Sequence, residues 1–260
     1  MTDQELEEDY REILDWFLIQ SKNFQKNAKI LSAKQHGQNF MLHIDKNTPK
    51  VFLPQMPRSA SWKEDNTVGR VTVAPTLAGC GHGYARVESD FMDGTNPELV
   101  DPGTGRKDPY RGGYDICAIE FEHCIAPNGS LVFDEPRTNE RWLVTYNKKT
   151  MQYKPVKIGK LFFTSALLQA AKSGDKVQMP GFNMSGYLWH EKAEGIYLVE
   201  GKLLPPGHYK VNMHWDEPGE YKSENPSNHT FTKISAGEFE KNKNLHAALL
   251  SEPAPKFMSW

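Results

Sequence analysis

Acidic residues at the ends of short apolar segments are the first candidates for chemistry in this sequence. Glu140 stands at the start of "RWLV", directly after the polar turn "EPRTN", and Trp142 and Val144 anchor the same segment. A carboxylate at the end of a strand can face a cleft, where it stabilises positive charge or transfers a proton. Glu120 and Glu122 share one face of another predicted strand, because side chains alternate with period two. We interpret this second pair as a solvent-facing edge.

The segment "LAGCGHG", residues 77–83, combines a cysteine, a histidine and three glycines. Cys80 follows a predicted strand and enters a predicted helix, where the helix N-terminus favours a thiolate. His82 is not placed as a general base two residues away, so a buried structural thiol is favoured and a cysteine hydrolase is the weaker alternative. Cys80 and His82 are too close for zinc, and Cys117 and Cys124 lack a second ligand pair, so no metal is predicted.

The glycines of this segment allow two interpretations. At Gly79, Gly81 and Gly83, backbone N–H groups could approach a phosphate at the start of a helix. Alternatively, the helix packs so closely on a strand that no side chain fits. The Lys-Ser/Thr pair of a P-loop is missing, so the segment is not identified as a P-loop. Both interpretations therefore stay open. Among the remaining candidates, His43 is typical of a satisfied structural histidine, and Arg70 is one of several arginines able to bind an anion.

The composition narrows the classes of function. The chain has 260 residues and a formal net charge of −2, which gives no indication of nucleic acid binding. No apolar run approaches the roughly 20 residues that cross a bilayer, and the acidic N-terminal segment lacks the order of a secretory signal. Three cysteines, an odd number, favour a reducing compartment. We therefore expect a cytoplasmic protein without membrane association, and its oligomeric state is not predicted.

The candidate residues must be positioned by a largely β-rich chain. Residues 5–19 place apolar side chains on one helical stripe, which predicts an amphipathic helix packed on the body of the fold. Further helices are predicted at 77–90 and 164–172, and a long loop at 93–113. Short segments bounded by Gly, Pro, Asn or Asp predict strands at 39–45, 50–54, 70–75, 114–122, 130–134, 141–147, 153–163, 186–191, 195–204 and 208–215.

These elements predict an α+β fold that is mostly β, with mixed or antiparallel sheets and an N-terminal amphipathic helix. We expect a main domain over residues 1–175 that carries the site. Residues 176–260 are expected to form a β-rich C-terminal lobe and tail, with a short helix near the end.

Three segments, "FMLHID", "RVTVAPTLAGC" and "NERWLVTYNKKTMQYKPVKIG", resemble the layout of ADP-ribosyltransferases. In that family a first strand carries His or Arg, and a second carries a small hydroxyl residue before a helix. A later strand begins with the catalytic Glu. The matching positions here are His43, Thr76 and Glu140, and the resemblance covers approximately residues 40–163. The "RVTVAPT" block is also similar to blocks in poorly characterised phage and bacterial proteins.

This chain departs from the family pattern at three places. The second motif reads Ala74-Pro75-Thr76 where the family has Ser-Thr-Ser. Thr138 stands two residues before Glu140, where many members have Glu or Gln. The C-terminal hundred residues or so have no counterpart in the minimal family fold.

The resemblance implies that NAD is the substrate and that a protein or another macromolecule accepts the ADP-ribose. Glu140 would stabilise the oxocarbenium-like charge that develops when the nicotinamide–ribose bond breaks. His43 would hold the adenosine ribose, and Thr76 would position Glu140. Glu140→Gln would then abolish NAD turnover with little change in melting temperature. Further cofactor contacts are expected from Arg70, Gly79 and Gly81, and nicotinamide stacking from Tyr84 or Trp142.

A non-catalytic protein of phage or bacterial origin is the alternative class. In that interpretation the β-rich body binds and inhibits a protein partner, and the glycines are architectural. Aromatic residues would then be interface anchors rather than core, namely Trp189, Trp215, Trp260 and the tyrosines.

Overall fold

The computed structural model describes residues 3–19, 22–45, 47–57, 65–81, 114–132, 138–145, 152–163, 182–215 and 229–251. Its helices are α1 (Asp3–Ile19), α2 (Lys22–Asn27), α3 (Ala33–His36) and α4 (Ala236–Ser251), and residues 77–81 are also helical. Its strands are β1 (Ala28–Ser32), β2 (Phe40–Asp45), β3 (Arg70–Val73), β4 (Tyr114–Glu120), β5 (His123–Pro127), β6 (Arg141–Val144), β7 (Pro155–Phe163), β8 (Phe182–His190), β9 (Ile196–Val199), β10 (Lys202–Leu204), β11 (Gly207–Trp215) and β12 (His229–Ile234).

The predicted fold class is confirmed. Strand is the dominant structure, α1 forms the N-terminal helix, and each strand pair whose register is described is antiparallel. Within the described residues, no helix combines the length and the apolar character that crossing a membrane requires.

A first compact unit comprises Met1–His43, Thr48–Cys80 and Cys117–Lys157. It contains a four-stranded sheet in the order β1-β5-β6-β3. Strand β3 runs antiparallel to β6, with Thr72 opposite Trp142. This register matters for the site because it sets the candidate residues of β3 beside the start of β6.

Alternation along β6 divides the core of this unit between the two faces of the sheet. Trp142 and Val144 lie in a cluster with Ile13 and Phe17 of α1, together with Phe24 of α2. Leu143, between them, belongs to a second cluster on the other face. Fully burying one large apolar side chain stabilises a fold by about 1.5–3 kcal/mol. The buried side chains of Ile13 and Phe17 therefore hold α1 firmly on this sheet.

The second unit comprises Ile44–Asn47, Gly81–Ile116 and Ile158–Trp260. Strands β12, β11, β8 and β7 are consecutive in a six-stranded sheet of order β12-β11-β8-β7-β4-β2, and β9 and β10 form a separate hairpin. Phe239 of α4 is buried, with its ring 5.7 Å from Phe162 and 4.8 Å from His208. Helix α4 is therefore fixed to its sheet by aromatic packing.

Several local predictions differ from the structure. Residues 129–131 form a turn rather than part of a strand, and the N–H groups of Leu131 and Val132 donate to the Asn128 carbonyl. Within 50–54 the described pairing is an isolated bridge, between Phe52 and Tyr153. Strands β1, β5 and β12 were not predicted. The sequence of β12, "HTFTKI", does contain β-favouring residues, so this strand was missed although a signal was present.

Other predictions fall on residues that the structure does not describe. They are the helix at 164–172, the loop at 93–113, most of the helix at 77–90 and the domain boundary after residue 175. Glu120 and Glu122 are both exposed, in agreement with a solvent-facing edge, although Glu122 lies beyond the end of β4.

Gly159 provides a test of the second unit. A Cβ atom there would lie 2.2 Å from the Trp189 carbonyl oxygen on the neighbouring strand β8. We expect Gly159→Ala to lower the free energy of unfolding by about 1–3 kcal/mol, because the two strands must separate. Gly237→Ala in α4 is the matched control, since its nearest neighbour is 4.0 Å away. Urea unfolding followed by circular dichroism measures both, and equal stability of the two variants would contradict the strand spacing.

Candidate functional site

The conformation of the backbone before β6 places Glu140 directly before the first residue of that strand. Asn139 has a positive φ of 48°, an uncommon conformation in which Asn is one of the better tolerated residues. The Arg141 guanidinium donates to the carbonyls of Asn139 at 3.1 Å and of Glu140 at 2.8 Å. The turn at Asn139 and Glu140 is therefore stabilised by its own backbone conformation and by the side chain of Arg141, the first residue of β6.

Three side chains contact the same oxygen of Glu140. The Trp142 indole N–H donates to Oε1 at 2.5 Å, and the Thr72 hydroxyl donates to it at 3.5 Å. The Arg70 Nε atom is 3.8 Å from Oε1, an ion pair. Glu140 and Trp142 meet because residues two apart point to the same face of a strand. The carboxylate keeps 13% of its side-chain surface exposed.

Arg70 carries a buried charge that needs this carboxylate. Its side chain is only 4% exposed and its guanidinium lies 4.1 Å from the centre of the Trp142 ring. It also donates to the Asp65 carbonyl at 2.8 Å and lies 4.0 Å from the Asp65 carboxylate. A buried charge is stable only when it is paired and hydrogen-bonded, and Arg70 meets this condition through Glu140 and Asp65.

His43 contacts the outer edge of β3, the last strand of its sheet. Its Nδ1 atom is 2.7 Å from the Thr72 carbonyl oxygen. Since a carbonyl only accepts, Nδ1 must carry the hydrogen. The neighbouring carbonyls of Arg70 and Ala74 accept backbone N–H groups from Gln55 and Leu42. The Thr72 carbonyl thus lies between two carbonyls that accept backbone N–H groups, and the His43 imidazole donates to it in place of a backbone N–H.

Thr76 acts on Glu140 through packing rather than by contact. It is buried, and its hydroxyl accepts the Gly79 N–H at 3.1 Å, which caps the helical segment 77–81. A Cβ atom on Gly79 would lie 2.2 Å from the Thr138 carbonyl oxygen. The cap and the glycine therefore hold the helix against the turn two residues before Glu140.

Apart from Thr76, the predicted site residues fall into three groups. His43 and Glu140 both contact Thr72, His43 through the carbonyl and Glu140 through the hydroxyl. Trp142 and Arg70 are buried against protein, so here they support Glu140 and do not present a surface for a nucleotide. The remaining three were predicted to contact the cofactor: Gly79 and Gly81 are buried in the helical segment, and Tyr84 lies outside the described residues.

Thr72 and Asp65 are the residues that sequence analysis missed. Thr72 lies two positions after Arg70 in "RVTV", so the period of a strand places both on one face. That signal was available for Thr72. Asp65 contacts Arg70 from a loop, where no periodicity exists to indicate it.

The cysteines have the environment of structural thiols. Cys80 is half-buried rather than fully buried, and its thiol donates to the Leu42 carbonyl at 3.2 Å. Cys117 is fully buried, and burial raises the pKa of the Cys124 thiol to about 12. Among the described residues, no three His, Cys, Asp or Glu side chains come together as metal ligands do.

Comparison with known proteins adds no assignment to this geometry. The sequence matches no protein-family model, and no curated protein sequence or solved structure is significantly similar to the chain.

Gly79→Ala tests whether the helix is packed on the turn before Glu140. The added methyl group would collide with the Thr138 carbonyl, so we expect a loss of about 1–3 kcal/mol in the free energy of unfolding. Gly129→Ala is the control, because its nearest neighbour, the Val132 carbonyl, is 3.9 Å away. Its expected change is within about 0.5 kcal/mol. Thermal and urea unfolding decide, and an undisturbed Gly79→Ala protein would remove Gly79 and Thr76 from the positioning of Glu140.

The thiols give an independent prediction. Under native conditions at pH 8, we expect an alkylating reagent to leave Cys124 unmodified, since that thiol is buried and protonated. Cys80→Ser keeps a donor for the Leu42 carbonyl, so it should change stability by about 1 kcal/mol or less. Mass spectrometry of the alkylated protein and unfolding of the variant are the measurements. A folded Cys80→Ser protein that loses a hydrolytic activity of the parent would favour the cysteine hydrolase instead.

Proposed function

We propose that this protein is an ADP-ribosyltransferase-like enzyme that cleaves NAD and modifies a protein or another macromolecular target. The observation that carries the proposal is the position of Glu140. It is a partly exposed carboxylate at the start of β6, oriented by three neighbours and adjacent to the strand that His43 contacts. These are the positions that match the family motifs in the sequence.

The chemistry asks for a fixed negative charge. The bond between nicotinamide and C1′ of the ribose breaks, nicotinamide leaves with the electron pair, and C1′ becomes electron-deficient. A nucleophile of the target then bonds to C1′ and loses its proton. A carboxylate that is already oriented stabilises the transition state more than the ground state, because it does not need to reorganise as charge develops.

The residues divide between those that fit contact with NAD and those that fit support. Thr72 is exposed, and Glu140 and His43 are partly exposed, so these three can reach a ligand on the outer side of β3. Arg70 and Trp142 fix Oε1 from the protein side. We therefore assign Glu140 as the catalytic residue and Arg70, Trp142 and Thr76 as positioning residues.

A non-catalytic binding protein is the second candidate. The same network favours it, because a carboxylate that neutralises a buried arginine is explained without any reaction. The two candidates differ in whether Glu140 is needed only for folding or also for NAD turnover.

A double-mutant cycle separates these roles. Glu140→Gln keeps an acceptor for Trp142 but removes the nearer of the two carboxylates that pair with Arg70. We expect it to cost about 1–3 kcal/mol of stability, which differs from the unchanged melting temperature that sequence alone suggests. Adding Arg70→Gln removes the buried charge, so the double variant should be more stable than the sum of the two single losses. Nicotinamide release and thermal unfolding are measured for all four proteins.

NAD turnover is compared only among the variants that fold. We expect Glu140→Gln and the double variant to lower NAD turnover by about 10²–10³-fold, whatever their relative stability. Glu120→Gln, an exposed carboxylate on β4, is the matched control and should turn over NAD like the parent. Labelled NAD with a cell lysate reveals the acceptor. Full turnover by a folded Glu140→Gln protein, or no turnover by the parent, would leave the binding protein as the better proposal.

A further inference from the structure

Helix α1 has a second apolar stripe that its own unit does not cover. Ile13 and Phe17 are buried in the core of the first unit. Tyr10, Leu14 and Leu18 lie beside them on the helix and are 39%, 37% and 58% exposed. These three are spaced four residues apart, so they form one continuous line along the surface. An exposed line of large apolar side chains is a frequent mark of an interface.

The stripe is nearly symmetrical about Leu14. When two such helices cross antiparallel with Leu14 against Leu14, Tyr10 of each copy lies against Leu18 of the other. An interface of this kind uses the same surface on both subunits, as two-fold dimers do. Tyr10 also packs within its own chain, with its ring 5.8 Å from that of His123, which restricts the side chain before association.

Charges flanking the stripe are complementary to themselves. Arg11 and Asp15 are both exposed and lie on the same side of the stripe, away from Ile13 and Phe17. In an antiparallel pair, equivalent flanks of the two helices face each other, so Arg11 of each copy lies beside Asp15 of the other. The two-fold symmetry therefore produces two equivalent pairs of opposite charge. Opposite charges at a rim fix the register and orientation of a contact. In the described part of the chain, neither residue is recorded in an ion pair.

We propose that this stripe is the interface of a homodimer, in which α1 packs antiparallel against α1 of a second copy. The partner is this chain itself, because the apolar pattern and the flanking charges complement their own two-fold image. The inference does not rest on the proposed enzymatic activity. A two-helix contact buries little area, so we expect association in about the micromolar range.

Sedimentation of the full chain over a range of concentrations tests the dimer. Leu14→Lys sets two ammonium groups against each other at the two-fold axis and should weaken dimerisation by about 30-fold or more. Leu14 is exposed, so the variant should keep the circular dichroism spectrum and melting temperature of the parent monomer. Val156→Lys, a substitution at a 60% exposed apolar residue of β7, is the matched control and should dimerise like the parent.

Charge reversal tests the orientation. Arg11→Asp places acids against acids at the rim and should weaken the dimer several-fold. Arg11→Asp combined with Asp15→Arg restores opposite pairs and should recover most of the affinity. A parent protein that stays monomeric to about 100 times the expected dissociation constant overturns the proposal, whichever other partner it binds. A Leu14→Lys protein that dimerises like Val156→Lys overturns it as well.

Discussion

The pairing of one buried arginine with two carboxylates is the constraint on which the first unit depends. Arg70 carries its charge into the interior, and transfer of an unpaired charge from water to protein is among the costliest changes a fold can contain. Glu140 and Asp65 meet that requirement from two different loops. Because both loops must arrive together, the pairing of β3 with β6 and the path of the chain near residue 65 are specified by electrostatics as well as by packing.

Trp142 couples this polar network to the apolar core. One side chain donates to Glu140, lies against the Arg70 guanidinium and stacks on Phe24 at 5.8 Å. A change in the helices that cover this face therefore reaches the carboxylate through a single rigid ring. Under the proposed function this would be an advantage, since a charged group held by a buried aromatic residue keeps its orientation.

Sequence reasoning succeeds here where one local pattern determines one outcome. The apolar spacing of α1 and the alternation of "RWLV" specify a helix and a strand, and the position of Glu140 follows from the second. It fails where a contact depends on segments that are far apart in the sequence. The burial of Arg70 depends on Asp65 and Glu140 meeting, and the hydrogen bond of His43 depends on the place of β3 at the end of its sheet. Neither relation has a signature within a window of neighbouring residues.

The contact of His43 with the Thr72 carbonyl has a consequence for solubility. An outermost strand with open carbonyl groups is a template on which strands of other molecules can grow, and many proteins protect such strands. Along β3, the acceptors of Arg70, Thr72 and Ala74 are occupied by Gln55, His43 and Leu42. An aromatic ring fills the middle position, where a further strand would otherwise have to supply its amide. With His43 in place, these three carbonyls of β3 already have donors, so they offer no open acceptor to a strand of another molecule.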